Sequence, residues 1–79
     1  MKPLEIKGAR TRLGYTQKYM AEQLDMSVYS YQKKESGQVK FAEDEKLEVG
    51  RILQLSLEQL NDFLFDGKLP IGTSQNVSV

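Results

Sequence analysis

The chain contains no cysteine and no histidine. Without cysteine there is neither a disulfide framework nor a thiolate metal site. Without histidine the commonest general base and metal ligand is missing. What remains suggests no convergent catalytic set, so the chain reads as a non-enzyme with no catalytic residue, no metal ligand and no cofactor. No apolar run approaches the ~18 residues of a membrane span. The N-terminus does not read as a signal peptide, and a cytoplasmic location is the resulting expectation.

Net charge is also lacking, since eleven basic residues balance eleven acidic ones. The balance hides a separation. Residues 1–40 carry eight basic residues against four acidic; residues 41–79 carry three against seven. A basic half beside an acidic half can present one face to phosphate, although helical surfaces also scatter charge without purpose. At 79 residues the chain is one small domain, able to bury only roughly 60% of its unfolded surface.

The stretch from Thr16 to Gly37 organises the rest. Thr16 can cap a first short helix, in which Met20, Ala21 and Leu24 form one apolar face. Asp25-Met26 interrupts the pattern and Ser27 offers a second cap. The second helix runs from Val28 to about Glu35 and stops at Ser36-Gly37, where glycine can take the left-handed conformation. Ala21 is small where the two helices touch. Asp25 tolerates positive φ at the turn, and Tyr31 is the residue that packs back. Two such helices are not stable alone and need a further layer. Their spacing fits a helix-turn-helix unit.

Ahead of this unit, Ile6, Ala9, Arg10 and Leu13 share one face of a helix from about Pro3 to Leu13, ended by Gly14. Proline suits its first turn. Arg10 on an apolar face needs a partner, and Glu35 is the acid expected to pair with it. Such a pair joins the first helix to the third, with the Coulomb gain offset by desolvation. Residues 38–41 read as a loop.

Glu43-Asp44-Glu45 then opens a fourth helix, where three acids suit the dipole. Leu47, Val49, Gly50, Ile52 and Leu53 supply its expected inward face. Gly50 weakens that helix by roughly 1 kcal/mol relative to alanine, which close packing would explain. Ser56 and Gln59 form a capping-box pattern for a fifth helix. There Leu57, Leu60 and Leu64 make one stripe. Phe63 and Phe65 cannot both lie on it, so at least one is expected to be exposed. Asp66-Gly67 closes the helix. The domain is expected to span 1–67, followed by a tail over 68–79, extended at Lys68-Leu69-Pro70-Ile71 and mobile from Gly72 on.

The residues Leu13-Gly14-Tyr15-Thr16-Gln17, Met20-Ala21, Glu35-Ser36-Gly37 and Leu55-Ser56-Leu57, in this order and spacing, resemble the Cro/CI-type helix-turn-helix family. This is the xenobiotic-response-element (XRE) class that includes lambdoid phage repressors. The likeness covers about residues 4 to 66. It departs at the turn, where Asp25 stands in place of the usual glycine, and at Tyr31 and Lys34, where the family has smaller or apolar residues. The resemblance implies an all-α, compact five-helix, lambda-repressor-like DNA-binding fold with the helix-turn-helix at helices 2 and 3.

At about 100° per residue, Val28, Tyr29, Gln32 and Lys33 share one arc of the third helix; Ser30, Tyr31, Lys34 and Glu35 share the other. The second arc holds the core anchor, so the first would face the groove. Gln32 would bond adenine bidentately. Lys33 would reach guanine or a phosphate, and Val28 a thymine methyl. Tyr29 would meet a phosphate or a methyl group; alternatively Val28 and Tyr29 are simply exposed.

The resemblance implies that Gln17 contacts phosphate and buttresses the third helix. Ser27, Ser36, Gln38 and Lys40 are further phosphate candidates, with Lys7 and Arg12 behind them. Dimers reading two-fold sites are implied too, with Leu57, Phe63, Phe65, Leu69 and Ile71 as candidate contacts if they do not instead complete the core. The function expected is a sequence-specific regulator, a repressor occupying double-stranded DNA as a homodimer. The alternatives are an antitoxin-type protein whose main partner is a toxin, or an interaction module without DNA binding. An anti-repressor is a further possible protein partner.

Overall fold

The computed structural model describes residues 1–68. Leu69 and Ile71, and with them most of the expected tail, lie outside the described residues. Among the described residues there are five α-helices and no strand: α1 Pro3–Arg12, α2 Gln17–Gln23, α3 Val28–Glu35, α4 Glu43–Ile52 and α5 Leu57–Leu64.

Local chemistry sets each boundary. Pro3 occupies the first turn of α1, where its missing N–H costs nothing. Thr16, Ser27 and Ser56 each accept the backbone N–H three residues on, capping α2, α3 and α5. Gln59 returns a bond to the Ser56 amide, completing the box. Ala42 precedes α4 and has no side-chain acceptor, but the Glu45 carboxylate accepts its backbone N–H.

The helix ends follow one pattern. A residue of positive φ stands just beyond each helix: Gly14, Asp25, Gly37, Gln54 and, after α5, Asp66 with Gly67. At the first four stops the next amide bonds back to a carbonyl of the last turn, as Met26 does to Ala21 and Leu55 to Gly50. These bonds satisfy carbonyls that the helix leaves open.

Burial joins the five helices into one core. Ile6, Met20, Tyr31, Val49 and Leu64, one from each helix, have no exposed surface. Each contributes roughly 1.5–3 kcal/mol by leaving water. Gly50 allows α5 to approach α4: a Cβ there would stand 2.5 Å from Leu60 Cδ1. The chain start is held against α5, where the Lys2 amide donates to the Phe63 carbonyl and Lys2 Nζ to Asp62.

Several expected core positions are corrected. Leu13 caps α1 rather than extending its buried face, and is exposed. Leu47 is exposed because it lies about 200° around α4 from the buried Val49. Phe41, expected in a loop, is buried and packs its ring near Tyr31. Phe65 is buried as well. It follows the last residue of α5, and the chain then turns through Asp66 and Gly67, so it leaves the helical wheel and enters the core. Lys46 lies over its ring. Phe63 is half-buried against the same core. Neither phenylalanine is exposed, and Phe65 is not available for a dimer contact. Leu57, at 51% exposure, is the apolar residue that α5 leaves outside.

Candidate nucleic-acid interface

α2 packs on α3 more extensively than any other pair of helices. The buried Ala21 lets them approach, and Asp25, at φ 57°, reverses the chain between them. The wheel of α3 divides as its sequence predicts. Tyr31 and Glu35 are buried. Val28, Tyr29 and Gln32 are exposed, and Lys33 is half-buried. Lys33 Nζ stands 4.6 Å from the centre of the Tyr29 ring, a cation–π contact one turn apart.

Behind this face lies a connected polar cluster. Arg10 Nε donates to Glu35 Oε2 at 2.7 Å and Nη2 to Oε1 at 3.2 Å. The expected Arg10–Glu35 pair is therefore present and two-pronged. Arg10 Nη1 donates to the Tyr15 carbonyl, so α1 also holds the entry to α2. The Tyr31 hydroxyl donates to Glu35 Oε2 at 2.6 Å. Gln17 Nε2 donates to Glu35 Oε1 at 3.0 Å, and Gln32 Nε2 donates to Gln17 Oε1 at 3.1 Å. A continuous line of hydrogen bonds runs from buried Arg10 to exposed Gln32.

These contacts determine the protonation states. Burial pushes the Glu35 carboxyl up, but bonds from Arg10, Tyr31 and Gln17 outweigh it and hold it below the usual carboxylate range. Burial, reinforced by the adjacent carboxylate, pushes the Tyr31 phenol well up. Glu35 is thus an anion and Tyr31 a neutral donor at neutral pH.

Sequence reasoning missed two links. Lys34 Nζ reaches Glu45 at 2.8 Å, and this contact first, then the Ala42 amide, holds the Glu45 carboxyl below its usual range. The other is the bond that Gln32 Nε2 donates to Gln17 Oε1; the resemblance implied that Gln17 braces the third helix but not through which residue. No periodic signal joins positions 11 or 15 apart on different helices; only the docked fold does.

The remaining candidates divide by what their polar atoms already do. The Ser27 hydroxyl caps α3 and donates to Ser30 Oγ. The Ser36 hydroxyl donates to the Lys33 carbonyl. Both hydroxyls thus bond within α3, and both residues are exposed. Gln38 and Lys40 are exposed on the segment after α3. Lys7 lines a shallow cleft with Gln17, Gln32, Glu35 and Ser36, which brings a secondary candidate beside the main ones. Among the described residues Lys7, Arg12, Lys18, Lys33 and Lys40 form no ion pair, whereas Lys2, Arg10 and Lys34 do. The described residues contain no cluster of three or more acids able to hold a metal, and no helix among them is long and apolar enough to cross a membrane.

Comparison with known protein families, curated proteins and solved structures finds no match to this chain.

Proposed function

We propose that this protein is a sequence-specific regulator that binds double-stranded DNA, a repressor of the Cro/CI helix-turn-helix type. In this reading α2 and α3 are the helix-turn-helix unit. α3 enters the major groove, and two copies read a two-fold site. The observation that carries it is α3 itself. Its inner arc is anchored by Tyr31 and Glu35, and its outer arc offers Val28, Tyr29, Gln32 and Lys33 to a partner.

The roles follow from the chemistry of the groove. Gln32 reads a base edge, Val28 meets a thymine methyl, Tyr29 meets a phosphate or a methyl group, and Lys33 reaches a base or phosphate. Gln17, Gln38, Lys40 and Lys7 supply phosphate contacts, which give affinity and register. Ser27 and Ser36 act by shaping the two ends of α3. Among the described residues Leu57, exposed, and Phe63, half-buried, are the α5 residues proposed to meet a second copy.

The test is selection of bound sequences from random duplex DNA at moderate salt. A two-fold-symmetric site should be enriched. Salt-sensitive binding without enrichment would reduce the protein to a non-specific binder. Absence of binding at low salt would favour a protein partner, as for an antitoxin with its toxin.

A further inference from the structure

We infer that the buried Glu35 carboxylate decides which hydrogen-bonding groups Gln32 offers to a base, acting through Gln17. The inference rests on the DNA-binding reading above and concerns base choice within it.

A primary amide has nearly the same shape in either of its two orientations. Its neighbours decide which end points where. Glu35 removes the ambiguity. An ionised carboxylate only accepts, and has about four acceptor positions. Arg10 Nε, Arg10 Nη2, the Tyr31 hydroxyl and Gln17 Nε2 fill them. Gln17 must therefore turn its NH2 inward, which leaves its carbonyl facing Gln32. Only a donor can meet that carbonyl, and Gln32 turns its own NH2 toward it, at 3.1 Å. Gln32 then retains one N–H and its carbonyl for the groove.

One donor beside one acceptor complements adenine, which shows the N6 amino group and N7 in the major groove. It does not complement guanine, which shows two acceptors, O6 and N7. A donor in place of the Glu35 carboxylate would reverse each amide in turn. Gln32 would then present its NH2, the complement of guanine. Glu35 is 4% exposed and needs to touch no DNA to exert this control. It is a positioning residue, and Gln17 transmits the setting.

The test compares base preference among variants of the full chain. Selected duplexes are first bound by Gln32→Ala, which identifies the base pair whose identity ceases to matter. At that pair, affinities for A·T and G·C are measured for wild type, Gln17→Met and Glu35→Gln. Wild type should favour adenine by at least about fivefold. Gln17→Met leaves Gln32 free to turn, and its preference should fall to within about twofold. Glu35→Gln, which replaces one of the two acceptor oxygens by a donor, should weaken the adenine preference and shift it toward guanine. Loss of overall affinity is not the readout, because a merely structural role would also cause it. If Glu35→Gln does not fold, Gln17→Met, which keeps the buried ion pair, decides alone.

An adenine preference unchanged in Gln17→Met, or undiminished in a folded Glu35→Gln, would overturn the inference while leaving DNA binding intact. So would a wild-type preference for guanine, or a site in which no pair responds to Gln32→Ala. Failure of the wild type to enrich any duplex would remove the DNA-binding reading and the inference with it.

Discussion

Glu35 is an unusual residue for the core of so small a domain, and its surroundings explain why it is tolerated. Its acceptor positions are filled by donors from three helices, so its burial leaves no lone pair unsatisfied. Its carboxyl titrates below the ordinary value of 4.5. A depressed folded pKa adds stability that is fully present above the unfolded value and is lost as pH falls through the folded one. Stability should therefore be level from neutral pH down to about 5 and decline below it. Denaturant titrations across pH 2–7 would measure this. Glu35→Gln should start lower at neutral pH, by about 3 kcal/mol or more, because it leaves the Arg10 charge uncompensated. Its decline in acid should be shallower. An equally steep decline in the variant would place the acid sensitivity elsewhere.

At the level of the helix, two glycines make a contrast. A Cβ at Gly8 would meet only Arg12 Nη1, at 3.7 Å, whereas one at Gly50 would overlap Leu60. Gly8→Ala should raise stability by about 1 kcal/mol through helix propensity. Gly50→Ala should yield no such gain, because displacing Leu60 offsets it. Thermal melts of the two variants would separate the cases. The stops give a second comparison. Gln54 holds a φ of 57°, at a cost of about 1 kcal/mol or more for a side chain with a Cβ. Gln54→Gly should stabilise by up to about 1 kcal/mol, after the flexibility of glycine in the unfolded chain is counted.

The stops also show what the sequence could reveal. Thr16, Ser27 and Ser56 announce helix starts, and Gly14, Asp25 and Gly37 announce ends, because these residue types favour those conformations locally. Gln54 has no such bias, and its left-handed turn follows from the docking of α4 and α5. The same divide explains the core. Ile6, Met20 and Val49 were legible from helical spacing. Phe41 and Phe65 lie just outside helices, where spacing has no meaning, and so were not. Within the candidate interface the split of α3 and the Arg10–Glu35 pair were legible, since each needed only one wheel and one unmatched charge. The bonds from Gln32 to Gln17 and from Lys34 to Glu45 depend on how separate helices meet.

Across the whole molecule, opposite charges are sorted along the chain. On the proposed DNA-binding reading, the complex with DNA should weaken steeply with salt as counterions are released. The loss is about a thousandfold or more between 50 and 200 mM if a dimer neutralises six or more phosphates. Lys40→Ala should lower the slope of log K against log salt by about 1 per protomer, without changing base preference. Binding isotherms at four or five salt concentrations would measure it. An unchanged slope would remove Lys40 from the phosphate contacts.

The five left-handed stops have a consequence for how the chain reaches this state. Four of the five helices carry a stop made of residue types that favour it locally, at Gly14, Asp25, Gly37 and Asp66-Gly67, while the stop of α4 at Gln54 waits on docking. Folding then becomes the docking of segments mostly cut to length. The slow part is closing the loops that bring distant residues together, as between Arg10 and Glu35, 25 positions apart. Loop closure of that size costs little more than for a shorter one. Helical domains with mostly local contacts fold in about microseconds to milliseconds. The contact of Lys2 with Asp62, 60 positions apart, closes a longer loop than the buried Arg10–Glu35 pair and ties the first helix to the last.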